Sequence, residues 1–380
     1  MIVSVSLILA GLVLLVVGGE LLVRSASNIA QLAKLDPLLV GLTIVALGTS
    51  APEMAVCLYA AFSGQPDMAL GNVIGSNIAN VLLILGLSAM IAPLVVSVRL
   101  VRLDVPVMII ASIALLLMGW TGNIGRFEGG MLIAGLLLYM AWLIWQTRQS
   151  KRKTNELAAL EPEQQDGAEP GNLWLQLLLI PISIALLVLG SNWLVQGASD
   201  IARWMGVSDL VIGLTIVAVG TSLPELAASL MAVLRGRRDL AVGNCVGSNI
   251  LNILAVMGLT GLLAPDGVQV PLHAMQSDLP IMAVVAIACL PVFSTGGRIS
   301  RWEGFVFFGY FLIYIVWLFL VQTDAPGKSL VGYTVVGFII PLTVITFALI
   351  TYRSIRAKRQ VDGKANGAFG DETDITNRGQ

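Results

Sequence analysis

Charge is scarce in this chain. Asp, Glu, Lys and Arg supply 12% of its 380 residues, about half the share of a soluble domain. There is one histidine, His273, which argues against a histidine-built metal centre or proton relay; it falls in a short loop and is given no role. The three cysteines, Cys57, Cys245 and Cys289, sit in apolar segments without a metal-ligand spacing and read as small buried hydrophobes. No nucleophile has an obvious base beside it, which argues against a hydrolase working inside the membrane. The N-terminal run from Met1 to Val23 lacks a basic n-region, and further apolar segments follow directly, so it reads as a first span. The net charge of −1 identifies no partner and gives no footprint for nucleic acid.

What is present is apolar length. Hydrophobic residues make up 57% of the chain, mean hydropathy is +0.87, and runs long enough for a bilayer of roughly 30 Å recur throughout. The pattern predicts an all-α polytopic membrane protein with eleven spans, at 2–23, 37–62, 68–91, 104–120, 128–147, 174–195, 209–234, 240–263, 278–295, 303–322 and 330–352. Residues 148–173 read as a solvated linker and 353–380 as a disordered tail. Counting Lys and Arg in alternate loops puts 19 on one side and three on the other, Arg126, Arg203 and Lys328. The positive-inside rule makes the richer side cytoplasmic, with the N-terminus outside and the C-terminus inside.

The chain also repeats itself. Residues 41–93 align without a gap on 213–265, with 29 identities in 53 positions. Weaker similarity flanks this block: "VLLVVGGELLVRSAS" with "ALLVLGSNWLVQGAS", "DVP" with "DLP", and "RFEGG" with "RWEGF". Each half, 1–147 and 174–322, holds five spans, so the second copy is expected to enter the membrane upside down. Inverted repeats of this kind point to a secondary transporter with its substrate site between the halves near mid-membrane.

Two motifs recur at polar positions. "GTSAPE" (48–53) returns as "GTSLPE" (220–225), each in the middle of an apolar run. Proline has no N–H and crowds the carbonyl four residues back, so Pro52 frees the Gly48 carbonyl and Pro224 that of Gly220. Thr49, Ser50, Thr221 and Ser222 add hydroxyls at the same breaks, and Glu53 and Glu225 add carboxylates. Open backbone at membrane depth is tolerated only where it lines a cavity or is buried in protein. The second motif, "GNVIGSNIAN" (71–80) and "GNCVGSNILN" (243–252), puts Asn72, Ser76 and Asn80 on one helix face, with Asn244, Ser248 and Asn252 repeating it. Interhelical hydrogen bonding is the bland reading of that face. If the halves meet, Glu53 and Glu225 share a centre where both can stay ionised only beside a divalent cation, two monovalent cations or protons. An all-oxygen set suits Ca²⁺; the nitrogen and sulfur ligands favoured by zinc or copper are missing.

These motifs resemble the alpha-repeats of the calcium/cation antiporter superfamily, in particular its prokaryotic-type sodium/calcium exchangers. The resemblance implies alternating access by sliding of the first and sixth spans. It implies Ca²⁺ held by Glu53 and Glu225 with the carbonyls of Thr49 and Thr221. Na⁺ would use the glutamates with Ala46, Ser50, Ser76, Ala218, Ser222 and Ser248. Asn80 and Asn252, at the end of the second motif, are both neutral, whereas potassium-dependent relatives carry an acid there, so K⁺ coupling is not expected. The ions are cargo, and no cofactor is expected. A proton-coupled cation antiporter on the same scaffold is the alternative, and a cation channel a further one. The oligomeric state is left open, as is the role of the eleventh span.

Other charged residues read as structural. Glu20 lies a turn from Arg24 at the membrane surface. Asp104 and Asp278, each two residues before a proline, read as helix N-caps.

Overall fold

The computed structural model describes residues 1–33, 35–64, 66–158, 172–206, 218–294 and 296–322. The first half contributes α1 (Ile2–Leu32), α2 (Pro37–Thr49), α3 (Ala51–Phe62), α4 (Met68–Ile91), α5 (Leu100–Gly119) and α6 (Arg126–Ala158). The second contributes α7 (Leu173–Trp204), α8 (Leu223–Leu234), α9 (Arg238–Leu263), α10 (Ala274–Ser294) and α11 (Arg301–Gln322). Among the described residues, eight of these helices are long and apolar enough to cross a membrane, or nine if the bent pair α2–α3 is one span. The N-terminal part of the expected seventh span (to residue 217), the eleventh span and the tail lie outside the described residues.

Two differences from the hydropathy reading stand out. Both α1 and α7 run about two and a half turns past the ends expected at residues 23 and 195. At 1.5 Å per residue, 31 residues make a rod of about 46 Å, longer than the hydrocarbon layer. Arg24 ends the apolar run without ending the helix, because Ser25, Ala26, Ser27, Ile29 and Ala30 beyond it are buried. The second difference is that α6 continues to Ala158, into the stretch read as linker. Residues 148–158 there hold two Arg, two Lys and one each of Gln, Glu, Leu and Ala, all good helix formers, and no Gly or Pro, so helix persists after hydrophobicity stops.

The halves meet along glycine-lined contacts. A methyl placed on Gly11 would lie 2.6 Å from the Gly190 carbonyl oxygen, one on Gly197 2.5 Å from that of Ser4, and one on Gly18 3.0 Å from that of Ser183. Residue numbers rise on one helix as they fall on the other, so α1 and α7 run antiparallel at backbone contact. The pair lies at the periphery, as α6 and α11 do: 28% of the apolar stretch of α1 and of α7 is buried, and 22% of that of α6 and α11. By contrast, α4 and α9 are central, with 78% and 83% buried.

Two short antiparallel ribbons join loops of opposite halves: β1 (Leu94–Val95) with β4 (Arg298–Ile299), and β2 (Asn123–Ile124) with β3 (Val268–Gln269). The "RFE" and "RWE" motifs begin α6 and α11, where Glu128 accepts from the Gly125 N–H at 2.9 Å and Glu303 from the Ser300 N–H at 2.7 Å. This is the backward half of a capping box. The turns "SGQPD" and "RGRRD" keep their glycine because Gly64 and Gly236 have φ of +72° and +74°, a region costly for residues with a Cβ.

Asp104 is not the N-cap its position suggests. It closes a π-helical turn, Leu100–Asp104, that runs straight into the α-helix, so no free N–H faces its side chain. The carboxylate instead accepts from the Tyr139 hydroxyl on α6 at 3.0 Å. Asp278 likewise ends a π-helical turn, Ala274–Asp278. Tyr139→Phe leaves both oxygens of a fully buried Asp104 without a partner, since Oδ2 already has none. The expected cost is about 1–3 kcal/mol, read as a lower unfolding midpoint in detergent; an unchanged midpoint would show that this bond carries no stability.

Candidate cation site

The bent span places the first motif. Helix α2 starts conventionally: Pro37 is its first residue, and the Asp36 carboxylate accepts from the Leu38 N–H at 3.0 Å. It passes through a π-helical turn, Gly41–Val45, and stops at Thr49; α3 restarts at Ala51 with a 41° bend. In the second half a short helix, Ala218–Gly220, precedes the break at Thr221–Ser222, and α8 restarts at Leu223. Pro52 and Pro224 thus sit where a missing N–H costs least, in the first turn of a new helix.

At each restart the sequence has capping-box spacing, Ser50-x-x-Glu53 and Ser222-x-x-Glu225, yet neither serine caps. Their hydroxyls cross to the other half. Ser50 donates to Glu225 Oε1 at 3.4 Å, and Ser222 to Ser76 Oγ at 3.3 Å. Thr49 bridges across too, donating to Asn244 Oδ1 at 3.2 Å. Glu53 and Glu225 are both 0% exposed. Among the described residues neither pairs with a basic side chain: both oxygens of Glu53 and Oε2 of Glu225 have no hydrogen-bond partner there.

The second motif lines the same region. Asn80 donates to Asn249 Oδ1 at 3.0 Å, and Asn249 in turn donates to the Asn77 carbonyl at 3.3 Å. Asn80 Oδ1 is left without a partner, as are Asn252 Oδ1, Ser248 Oγ and Thr221 Oγ1, all on buried atoms. Asn80 and Asn252 each open a π-helical turn, Asn80–Leu85 and Asn252–Met257. Such turns cluster at functional sites because the extra residue re-aims side chains.

The residues expected to share a site are therefore linked across the two halves through Thr49, Ser50, Ser76, Ser222 and Glu225, while Glu53, Thr221, Ser248, Asn80 and Asn252 contribute oxygens that nothing among the described residues satisfies. Ala46 offers its carbonyl at the end of α2, where it already accepts from the Ser50 N–H at 2.9 Å. The backbone of Ala218 begins the short helix before the second break. Buried polar atoms are normally paired, so a concentration of unpaired acceptors, three of them carboxylate oxygens of Glu53 and Glu225, is suited to a hard cation. Among the described residues no group of three or more His, Cys, Asp or Glu forms a conventional metal site; the acids are two, and neutral oxygens make up the rest.

The sequence reading missed some partners. Asn244 donates to Ser229 Oγ at 2.9 Å as well as accepting from Thr49. Ser191 on α7 donates at 2.6 Å to the Gly220 carbonyl, one of the two expected to be free for a cation. The only signal for Ser191 was its polar character opposite Gly19 in the weakly aligned first spans.

Similarity to known proteins follows the same two halves. A family model described as "Sodium/calcium exchanger protein" matches residues 3–145 and 175–320. The chain is similar to the inner membrane protein YrbG of Escherichia coli, 35% identical over 326 residues covering 84% of this chain and 98% of that one. It is 31% identical to the sodium/calcium exchanger MaX1 of Methanosarcina acetivorans over 345 residues, 83% of this chain and 98% of the relative. A solved structure of the sodium-calcium exchanger NCX_Mj, soaked with 2.5 mM Na⁺ and 0.1 mM Ca²⁺, matches with a TM-score of 0.68 at 29% identity, over 83% of this chain and 98% of that one.

Proposed function

This chain belongs to the sodium/calcium exchanger protein family, and on that premise we propose that it exchanges Na⁺ for Ca²⁺ across a prokaryotic plasma membrane by alternating access. The observation that carries the reading is the pair of fully buried carboxylates at two helix breaks, Glu53 and Glu225, with three of their four oxygens unbonded and no basic partner among the described residues. Ca²⁺ is held by both, with the Thr49 and Thr221 carbonyls. Na⁺ is held by the glutamates with Ser50, Ser76, Ser222, Ser248 and the backbone at Ala46 and Ala218. Asn80 and Asn252 add neutral oxygens, consistent with coupling that needs no K⁺. One Ca²⁺ or two Na⁺ compensate the same two charges, so the ions compete, and that competition is the basis of exchange.

The halves are read as inverted repeats, with the N-terminus outside and the basic loops, linker and tail inside. The antiparallel contact of α1 with α7, the first helix of each half, supports this. The charge count by loop supports the sidedness. The peripheral α1–α7 pair is the element that moves; the buried α4–α9 core holds the site.

The test is Ca²⁺ uptake into proteoliposomes loaded with Na⁺. Uptake is expected only under an outward Na⁺ gradient, and changing Ser50, Ser76, Ser222 and Ser248 to Ala is expected to remove it. Uptake that instead followed a pH gradient and survived those substitutions would make the protein a proton-coupled antiporter.

A further inference from the structure

The repeat is nearly symmetric at the site, but its links to the α1–α7 pair are not. Pro224 leaves the Gly220 carbonyl without a helical donor, and Ser191 of α7 supplies one at 2.6 Å while itself 5% exposed. In the first half Pro52 does the same to Gly48, but the residue aligned with Ser191 is Gly19, which has no side chain to donate. A second link lies on the same side of the asymmetry. Arg235, in the turn after α8, donates to Glu20 Oε2 on α1 at 2.6 Å. Glu20 therefore pairs across the halves rather than with Arg24. The aligned residues in the other half are Asn192 and Ser63, both neutral. Both links tie the loosely buried pair to the second broken span, and neither can be duplicated at the first.

We infer that Ser191, assisted by the Glu20–Arg235 ion pair, is a positioning residue that makes the two directions of reorientation inequivalent. This rests on the exchanger reading above. When α7 shifts relative to the break, the Ser191 bond opens and strands a buried carbonyl next to Thr221. The mirror movement past Gly48 opens no such bond. The two links differ in weight. The Ser191 bond is buried and its acceptor has lost its helical donor, whereas the side chains of Arg235 and Glu20 are 59% and 30% exposed, and exposed ion pairs contribute little. Ser191 therefore carries most of the asymmetry.

The experiment compares Ca²⁺ uptake rates in right-side-out and inverted membrane vesicles, together with amide hydrogen exchange around residues 218–234 in the purified full-length protein. Ser191→Gly, which installs the first half's residue, is expected to change the ratio of the two rates roughly three- to tenfold and to speed exchange near Gly220. Ser191→Thr, which keeps the donor, should stay near wild type in both. Glu20→Gln should act in the same direction but less, and the swap Glu20→Arg with Arg235→Glu should restore the ratio. The inference is overturned if Ser191→Gly slows both vesicle types equally, or leaves the ratio and the amide exchange unchanged. Failure of wild-type flux under every gradient would sink the exchanger reading instead, while amide exchange would still report on the link.

Discussion

Glu53→Gln and Glu225→Gln are each expected to abolish Na⁺-dependent Ca²⁺ uptake. Each removes one of two buried charges that no basic side chain balances. A divalent cation beside a single carboxylate keeps a net charge in a dehydrated site, and breaking a buried charge pair costs about 3–5 kcal/mol. That corresponds to roughly 10²- to 10⁴-fold weaker binding. The loss should be of function without loss of fold, because the amide fills the same space and removes an uncompensated charge. Without Ca²⁺ the variants should therefore melt no lower than wild type. What they should lose is the rise in melting temperature that Ca²⁺ gives by binding only the folded state. Uptake within about tenfold of wild type in either variant would remove that glutamate from the site. The double variant should be little worse than either single one, because the residues act as a pair.

Gly247→Val is expected to have nearly as large an effect without touching a ligand. A Cβ at this position in α9 would meet the Leu42 carbonyl oxygen at 2.6 Å, Leu42 Cα at 2.8 Å and Ala46 Cβ at 2.9 Å. Two of these are backbone atoms of α2 that cannot rotate aside, so the helices must part. Overpacking of this kind costs about 1–3 kcal/mol, occasionally more. Here it also displaces the segment that carries Ala46, Thr49 and Ser50 away from its partner, breaking the Thr49–Asn244 bond. Uptake should fall more than about tenfold, with a lower unfolding midpoint. Gly130→Ala on α6, where an added Cβ has nothing within 4 Å, serves as the control and should leave both near wild type. A Gly247→Val variant that transports normally would show that α2 and α9 do not need backbone contact to form the site.

Much of this molecule could be read without coordinates, for specific physical reasons. The breaks before Pro52 and Pro224 are legible because proline removes a helical donor and crowds the carbonyl four residues back, although proline alone does not decide a break, since Pro181 and Pro291 lie inside α7 and α10. Reading the two breaks as a site follows from the cost of placing Glu53 and Glu225 in an apolar run, twice, at the same offset. The Ser and Asn positions of the second motif follow from helical periodicity. All of these are local rules, or a comparison of the chain with itself.

What escaped depends on contacts between residues far apart in the sequence. Asp104 precedes a proline as a cap would, but a π-helical turn consumed its capping role, and Tyr139 became its partner. Glu20 has Arg24 one turn away, yet its carboxylate bonds with Arg235. The carbonyl of Gly220 was freed by one rule and claimed by Ser191 on another helix.

The sequence by itself determined the apolar helices, the duplication, the helix breaks before Pro52 and Pro224 and the inventory of oxygens, because each is set by composition, by covalent geometry or by a period of a few residues. Only the tertiary structure decided where the long helices end and which of those oxygens are bonded within the protein and which are left unbonded. A hydrogen-bond donor is used up by whichever acceptor packing brings within about 3 Å, and packing distances between helices are not written in the order of residues along any one of them.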